Sequence, residues 1–108
     1  MAVNISQRAA CAPELIETMT GTAILIGTLL YNPTIIIFDN QSTVSISIGT
    51  DATSTWKTFP AGEALVLDMR AAHGVAPNYT FDVGTSFYGT GASGDFSISY
   101  LYAINTGS

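Results

Sequence analysis

Apolar residues occupy every second position through Val44, Ile46 and Ile48, and again through Phe96, Ile98, Tyr100, Tyr102 and Ile104. Small or polar residues stand between them: Ser45, Ser47, Ser97, Ser99 and Ala103. A period of two belongs to extended chain with one face buried and the other toward solvent. Read along the sequence, this signal predicts strand after strand from Gly21 onward. Residues 22–31 form the first, which ends at an Asn32-Pro33 bend. Residues 34–39 follow, with Ile35, Ile36 and Ile37 in succession, as suits a strand covered on both faces. Asn40-Gln41 predicts a tight antiparallel hairpin into residues 43–50, with Asn40 in the left-handed conformation that its short side chain tolerates.

Beyond a polar loop at 51–55, residues 56–59 read as a short extended piece ending at the turn Pro60-Ala61-Gly62. Residues 63–69 form the next strand, with Leu65, Leu67 and Met69 on one face and Val66 beside Asp68 on the other. Residues 70–78 are irregular, and residues 80–83 and 85–88 flank Gly84 as short strands or one bent strand. Residues 89–94, rich in glycine, form a flexible loop before the closing strand at 95–104. About seven or eight short strands at this spacing predict an all-β fold, an antiparallel β-sandwich or jelly roll.

Residues 1–20 differ. Helix formers gather between Gln7 and Met19, but Pro13 interrupts them. The expectation is an extended N-terminal arm, or one short helical turn starting near Pro13 with Glu14 and Glu17 at its favourable end. The predicted organisation is an arm at 1–20, a β-sandwich domain at 21–105 and a tail at 106–108, with 108 residues sufficing for a single core.

Composition narrows the function. The chain is 47% hydrophobic and only 10% charged, against roughly 25% charged in typical globular domains. Such a surface suits a protein covered by neighbours. The net charge is −5, with Arg8, Lys57 and Arg70 as the cations. That is too few to displace counterions from nucleic acid or to hold an anionic membrane surface. The apolar region 23–38 is broken by Gly27, Thr28 and Asn32-Pro33, short of the roughly 20 unbroken residues of a spanning helix. No basic segment leads into a continuous apolar run, so no signal peptide is expected. Cys11, the single cysteine, allows no internal disulfide and reads as a small, buried or semi-buried hydrophobe. Asn4-Ile5-Ser6, Asn40-Gln41-Ser42 and Asn78-Tyr79-Thr80 fit the glycosylation pattern but read as turn chemistry.

Candidate chemistry is sparse. His73 is the single histidine, set in Ala71-Ala72-His73-Gly74, and no Gly-x-Ser-x-Gly elbow supplies a nucleophile for it. The acids Asp39, Asp51, Glu63, Asp68, Asp82 and Asp95 are dispersed and mostly border turns, so neither metal nor cofactor is expected. Asp68 and Arg70 share a strand face and suit an ion pair. Residues 89–94 lack the Lys and the helix of a phosphate loop. Trp56, Phe59, Tyr79, Phe81, Phe87, Tyr88, Tyr100 and Tyr102 suit a core or a protein interface better than a sugar platform. No catalytic residue is assigned, and the chain reads as a non-enzyme.

Several stretches carry a family resemblance. They are Phe38-Asp39-Asn40-Gln41 with Val44-Ser45-Ile46-Ser47, then Thr58-Phe59-Pro60-Ala61-Gly62-Glu63-Ala64-Leu65-Val66-Leu67-Asp68-Met69. Phe81, Gly84-Thr85-Ser86-Phe87-Tyr88 and Ser97-Ile98-Ser99-Tyr100-Leu101-Tyr102 complete them. The segment 36–102 resembles small β-sandwich structural proteins of tailed-bacteriophage virions. The resemblance implies a capsid decoration or cement protein that contacts the major capsid protein, as a homo-oligomer, most simply a trimer, assembled in the host cytoplasm. It carries over no active site. The alternatives are a head-tail connector, collar or tail ring protein, or a carbohydrate- or receptor-binding module on the same scaffold.

Overall fold

The structure, a computed structural model, describes residues 7–69 and 81–105. His73, Arg70, Tyr79, the irregular stretch expected at 70–78, the first six residues and the tail at 106–108 lie outside the described residues. The strands are β1 (Gln7–Cys11), β2 (Leu15–Thr18), β3 (Ile24–Thr28), β4 (Pro33–Asn40), β5 (Ile46–Gly49), β6 (Lys57–Phe59), β7 (Ala64–Asp68), β8 (Ser86–Thr90) and β9 (Asp95–Asn105).

They form two antiparallel sheets that make a β-sandwich. In the first, β1 and β2 lie end to end along one side of β9, followed by β4 and β7; the second runs β3-β8-β5-β6. The pairings β5 with β6, β4 with β7, β3 with β8 and β2 with β9 are nested one inside the next. The chain is thus one long hairpin with its tip between β5 and β6, folded over so that each limb alternates between sheets. That is the double Greek key of a jelly roll.

Alternation sets the inner faces as the sequence predicts. Ile36 and Phe38 of β4, Ile46 and Ile48 of β5, Phe87 of β8, and Phe96, Ile98 and Tyr100 of β9 are all buried. Phe38 is the hub of the core. Its ring meets those of Trp56 at 5.2 Å, Phe87 at 5.4 Å, Phe59 at 5.9 Å and Phe81 at 6.2 Å. Tilted and edge-on contacts of this kind add to the burial of the rings. Met19 seats against Gly89 and Gly91, where a Cβ would come within 2.9 Å of its sulfur at Gly89 and 3.5 Å of its Cγ at Gly91. The glycine-rich stretch is therefore only partly a loop: Gly89 and Thr90 complete β8.

Four expectations are corrected. β4 and β5 do not form a hairpin, because β4 already has a partner on each side and residues 41–45 carry the chain to the other sheet. Asn40 is not left-handed, since positive φ occurs only at glycines among the described residues. Residues 7–18 run extended, without the helical turn. They supply β1 and β2, which pair with β9 inside the domain expected to begin at residue 21. Pro13, which has no N–H for a ladder, sits in the break between them. Finally, no strand is assigned at 81–83; the chain turns there at Gly84 (φ 92°) toward β8.

Asn40 holds the crossing instead. Its side chain is fully buried. Nδ2 donates to the carbonyls of Val44 (2.9 Å), Phe59 (3.0 Å) and Pro60 (3.0 Å). Oδ1 accepts from the Ser42 N–H (3.0 Å) and hydroxyl (2.7 Å). Removing it strands several buried polar groups, each costing about 1–3 kcal/mol. Asn40→Ala should lower stability by about 3 kcal/mol or more in urea unfolding. Ser47→Ala, on the outer face, should cost no more than about 1 kcal/mol. Equal losses for the two would show that the buried network does not hold the crossing.

Candidate functional site

The two sheets differ on their outer faces. Directly opposed residues of an antiparallel sheet share a face, so the register fixes the rows. Across the first sheet run Cys11–Leu101–Ile35–Asp68, then Ser99–Ile37–Val66, then Ile16–Ser97–Asp39–Ala64. Aliphatic side chains dominate the middle of this face. Ile16 (44%), Ile37 (37%) and Val66 (60%) are exposed, and Ile35 and Leu101 are half-buried.

A groove of about 440 Å³ runs into this face where β1 gives way to β2. Its walls include Cys11, which is exposed rather than buried as expected, with Ala12, Glu14 and Leu101, and with Ile37 and Ser99 between. Pro13 creates the gap: the Ala12 N–H still donates to the Tyr100 carbonyl (3.0 Å), and the chain then leaves the ladder until Leu15. Polar groups rim one end of the face. Gln41 Nε2 donates to Ser97 Oγ (3.1 Å) and Asp39 Oδ2 (3.4 Å), and the Thr18 hydroxyl donates to Asp95 Oδ1.

The outer face of the second sheet carries Leu25 opposite Tyr88, and hydroxyl pairs that bond one another. Ser47 and Thr58 hydroxyls lie 2.9 Å apart, and those of Thr28 and Ser86 2.8 Å apart. At one end of the sandwich a second groove, of about 520 Å³, is lined by Leu30, Tyr31, Val83 and Tyr102 among others. Tyr31 and Tyr102 stack on one another with centroids 3.8 Å apart and planes at 7°. Each ring thus occupies one face of the other. Asn32 Oδ1 is engaged by the Val83 N–H (2.7 Å).

The titratable groups singled out by sequence do not converge on one site among the described residues. Among the described residues, no three His, Cys, Asp or Glu come together in a way that could hold a metal ion. Asp51 closes its own loop, accepting from the N–H groups of Thr53 (2.8 Å) and Ser54 (2.7 Å). These bonds, that from Thr53 foremost, hold its carboxyl below the usual range. Glu63 pairs with Lys57 at 3.0 Å, and the Lys57 ammonium lies 4.8 Å from the centre of the Phe59 ring. Phe59, Phe81, Phe87 and Tyr100 are core residues, and half-buried Trp56 packs against them. The residues that sequence reading missed are those of the outer face: Ile16, Ile37, Val66 and Leu101. Their signal was the run Ile35-Ile36-Ile37, which is apolar on both faces of one strand.

No protein-family model matches the chain, and no curated protein matches it. Among solved structures, a chain from work entitled "Bacillus endospore appendages form a novel family of disulfide-linked pili" aligns over 97% of this chain and 93% of its own. The identity is 16% and the TM-score 0.44.

The end groove carries a titration signature. The Tyr102 hydroxyl is pushed above the usual phenol range, chiefly by its hydrogen bond with Tyr31 and then by desolvation. The folded state favours the protonated phenol, so this contribution to stability is present below the ordinary tyrosine pKa and fades as pH rises through the raised one. Spectrophotometric titration should find a tyrosine ionising above the free phenol, and Tyr31→Phe should bring it back down. An unchanged profile in Tyr31→Phe would rule that hydrogen bond out as the cause.

Proposed function

We propose that this chain is a non-enzymatic structural subunit that acts through the outer face of its β1/β2-β9-β4-β7 sheet, as a decoration or cement protein on a tailed-phage capsid. One observation carries the reading. β4 is a central strand with apolar side chains on both faces, and among the described residues only its inner face is covered by another sheet. Parallel-sheet strands read this way because both faces are packed; an antiparallel strand that does so lacks a layer. A contiguous apolar face with a polar rim is the pattern of a protein-docking surface. The low charge and the resemblance of residues 36–102 to virion proteins support the shell as partner.

The mechanism is surface complementarity. Burying this face against capsid subunits gains about 25 cal/mol per Å² of apolar area. A specific contact of standard size covers roughly 800 Å² on each partner. Many equivalent copies on a lattice then resist shell expansion together, and closed homo-oligomers would let one unit clasp several capsid subunits.

Quantitative mass spectrometry of purified particles, scaled to the major shell protein, tests the location. On the order of hundreds of copies is expected for a decoration protein, and roughly a dozen would place it in a connector or collar ring. Absence from particles overturns the virion reading. The surface is tested by rebinding to stripped particles, where Ile16→Lys/Ile37→Lys should lose binding while keeping the native circular dichroism spectrum. Cys11, exposed in the free chain, should react with a thiol reagent there and be protected on the particle.

A further inference from the structure

We propose that the free edge of β7 is a self-recognition surface, through which two copies pair β7 to β7, antiparallel about a two-fold axis at Val66. This goes beyond the shell reading, since it concerns the chain's contact with itself and holds whether or not the outer face meets a capsid.

A sandwich has four sheet edges, and exposed edges invite association unless guarded. Three of the edges here are guarded. β3 carries a bulge between Leu25 and Gly27. β6 is three residues long, begins with Lys57 and is followed at once by Pro60. The β1/β2 edge is broken at Pro13. Bulges, short strands, lysines and prolines are the recognised blocks to strand addition. β7 has none of them. It runs five residues in unbroken register with β4, and among the described residues no strand pairs with its far side.

The backbone groups on that edge can be assigned. The Asn40 N–H donates to the Glu63 carbonyl at 2.9 Å, so Asn40 and Glu63 are a hydrogen-bonded pair. In an antiparallel ladder bonded and non-bonded pairs alternate. Phe38–Leu65 and Ile36–Leu67 are therefore also bonded pairs, while Ala64 and Val66 turn their N–H and C=O groups away from β4. Those are the groups a new strand would meet.

The edge is complementary to a copy of itself. With Val66 opposite Val66 of the second copy, Leu65 meets Leu67, and Ala64 meets Asp68. Leucine faces leucine, valine faces valine, and the two Asp68 carboxylates stay at opposite ends. Like charges opposed across strands would be destabilising, and this register avoids them. It also joins the two Ile37–Val66 rows into one apolar strip. The pairing is isologous and closes at two copies; a trimer, the symmetry expected from the sequence, would need another surface.

Sedimentation velocity of the full chain over a concentration series tests the proposal. A concentration-dependent dimer is expected. Val66→Pro removes an N–H that points away from β4, a position where an edge strand tolerates proline. It should raise the dimer dissociation constant at least about tenfold, equivalent to losing one or two hydrogen bonds. Should that variant unfold, Val66→Lys sets two like charges on the axis, leaves the backbone intact and should weaken the dimer similarly. In a Cys11→Ser/Val66→Cys variant, mild oxidation should give a covalent dimer, since paired strands bring these positions within disulfide reach. A chain that stays monomeric at millimolar concentration overturns the proposal. So does an oligomer, trimer or otherwise, that Val66→Pro and Val66→Lys leave unchanged.

Discussion

Every crossing from one sheet of a sandwich to the other interrupts the backbone ladder, and the groups released there must be satisfied away from water. One amide does this for the tip of the molecule. Asn40 ends β4, and its side chain bonds the crossing to β5 at Ser42 and Val44 as well as the exit from β6 at Phe59 and Pro60. The two sheets are thereby locked at one end by a single buried side chain. The aromatic core around Phe38, two residues away, depends on that lock, because Phe38 must face Phe59 across the sandwich. Hydrophobic burial supplies the drive, and the asparagine fixes which strands face each other.

Much of this could be read in the sequence, and the limits are physical. Alternation through Ile46–Ile48 and Phe96–Tyr102 reports which side chains point inward, because a strand's faces are set by its own residues. It does not report a strand's neighbours. Asn40-Gln41 has hairpin composition, yet β4 finds partners in β7 and β9, and that outcome rests on long-range pairing. β1 and β2 escaped notice because an edge strand needs little apolar alternation when most of its side chains stay exposed. Glu17 and Ala10 line such an edge without announcing it. Pro13 signalled an end to helix, which was right, but the break it makes lies between two strands.

The proposed docking surface was less legible. Val66 beside Asp68 suggests a polar face, and only the register shows that Val66 lies against Ile37 rather than standing alone. The apolar patch is a property of four strands at once. Its contrast with the Ser47–Thr58 and Thr28–Ser86 hydroxyl pairs of the opposite sheet arises from the same period-two grammar read on the two outward sides. Two faces built by identical rules thus present different surfaces, one with a contiguous aliphatic centre and one with paired hydroxyls beside Leu25.

The nested pairing has a consequence for how the molecule is made. Gln7 faces Asn105, and Leu15 faces Ile98, so the outermost contacts join residues nearly a whole chain apart. Loop closure of that span is entropically costly before any contact rewards it, and folds dominated by distant pairings fold slowly. β9 also follows all the other described strands in the chain, although it is the partner of β1, β2 and β4. Until it arrives, β4 has an open side and β1 and β2 have no ladder at all. Loop closure costs least at the turn between β5 and β6 and most for the strands that pair with β9. A half-built sheet without β9 leaves β4 open to pairing by the wrong strand.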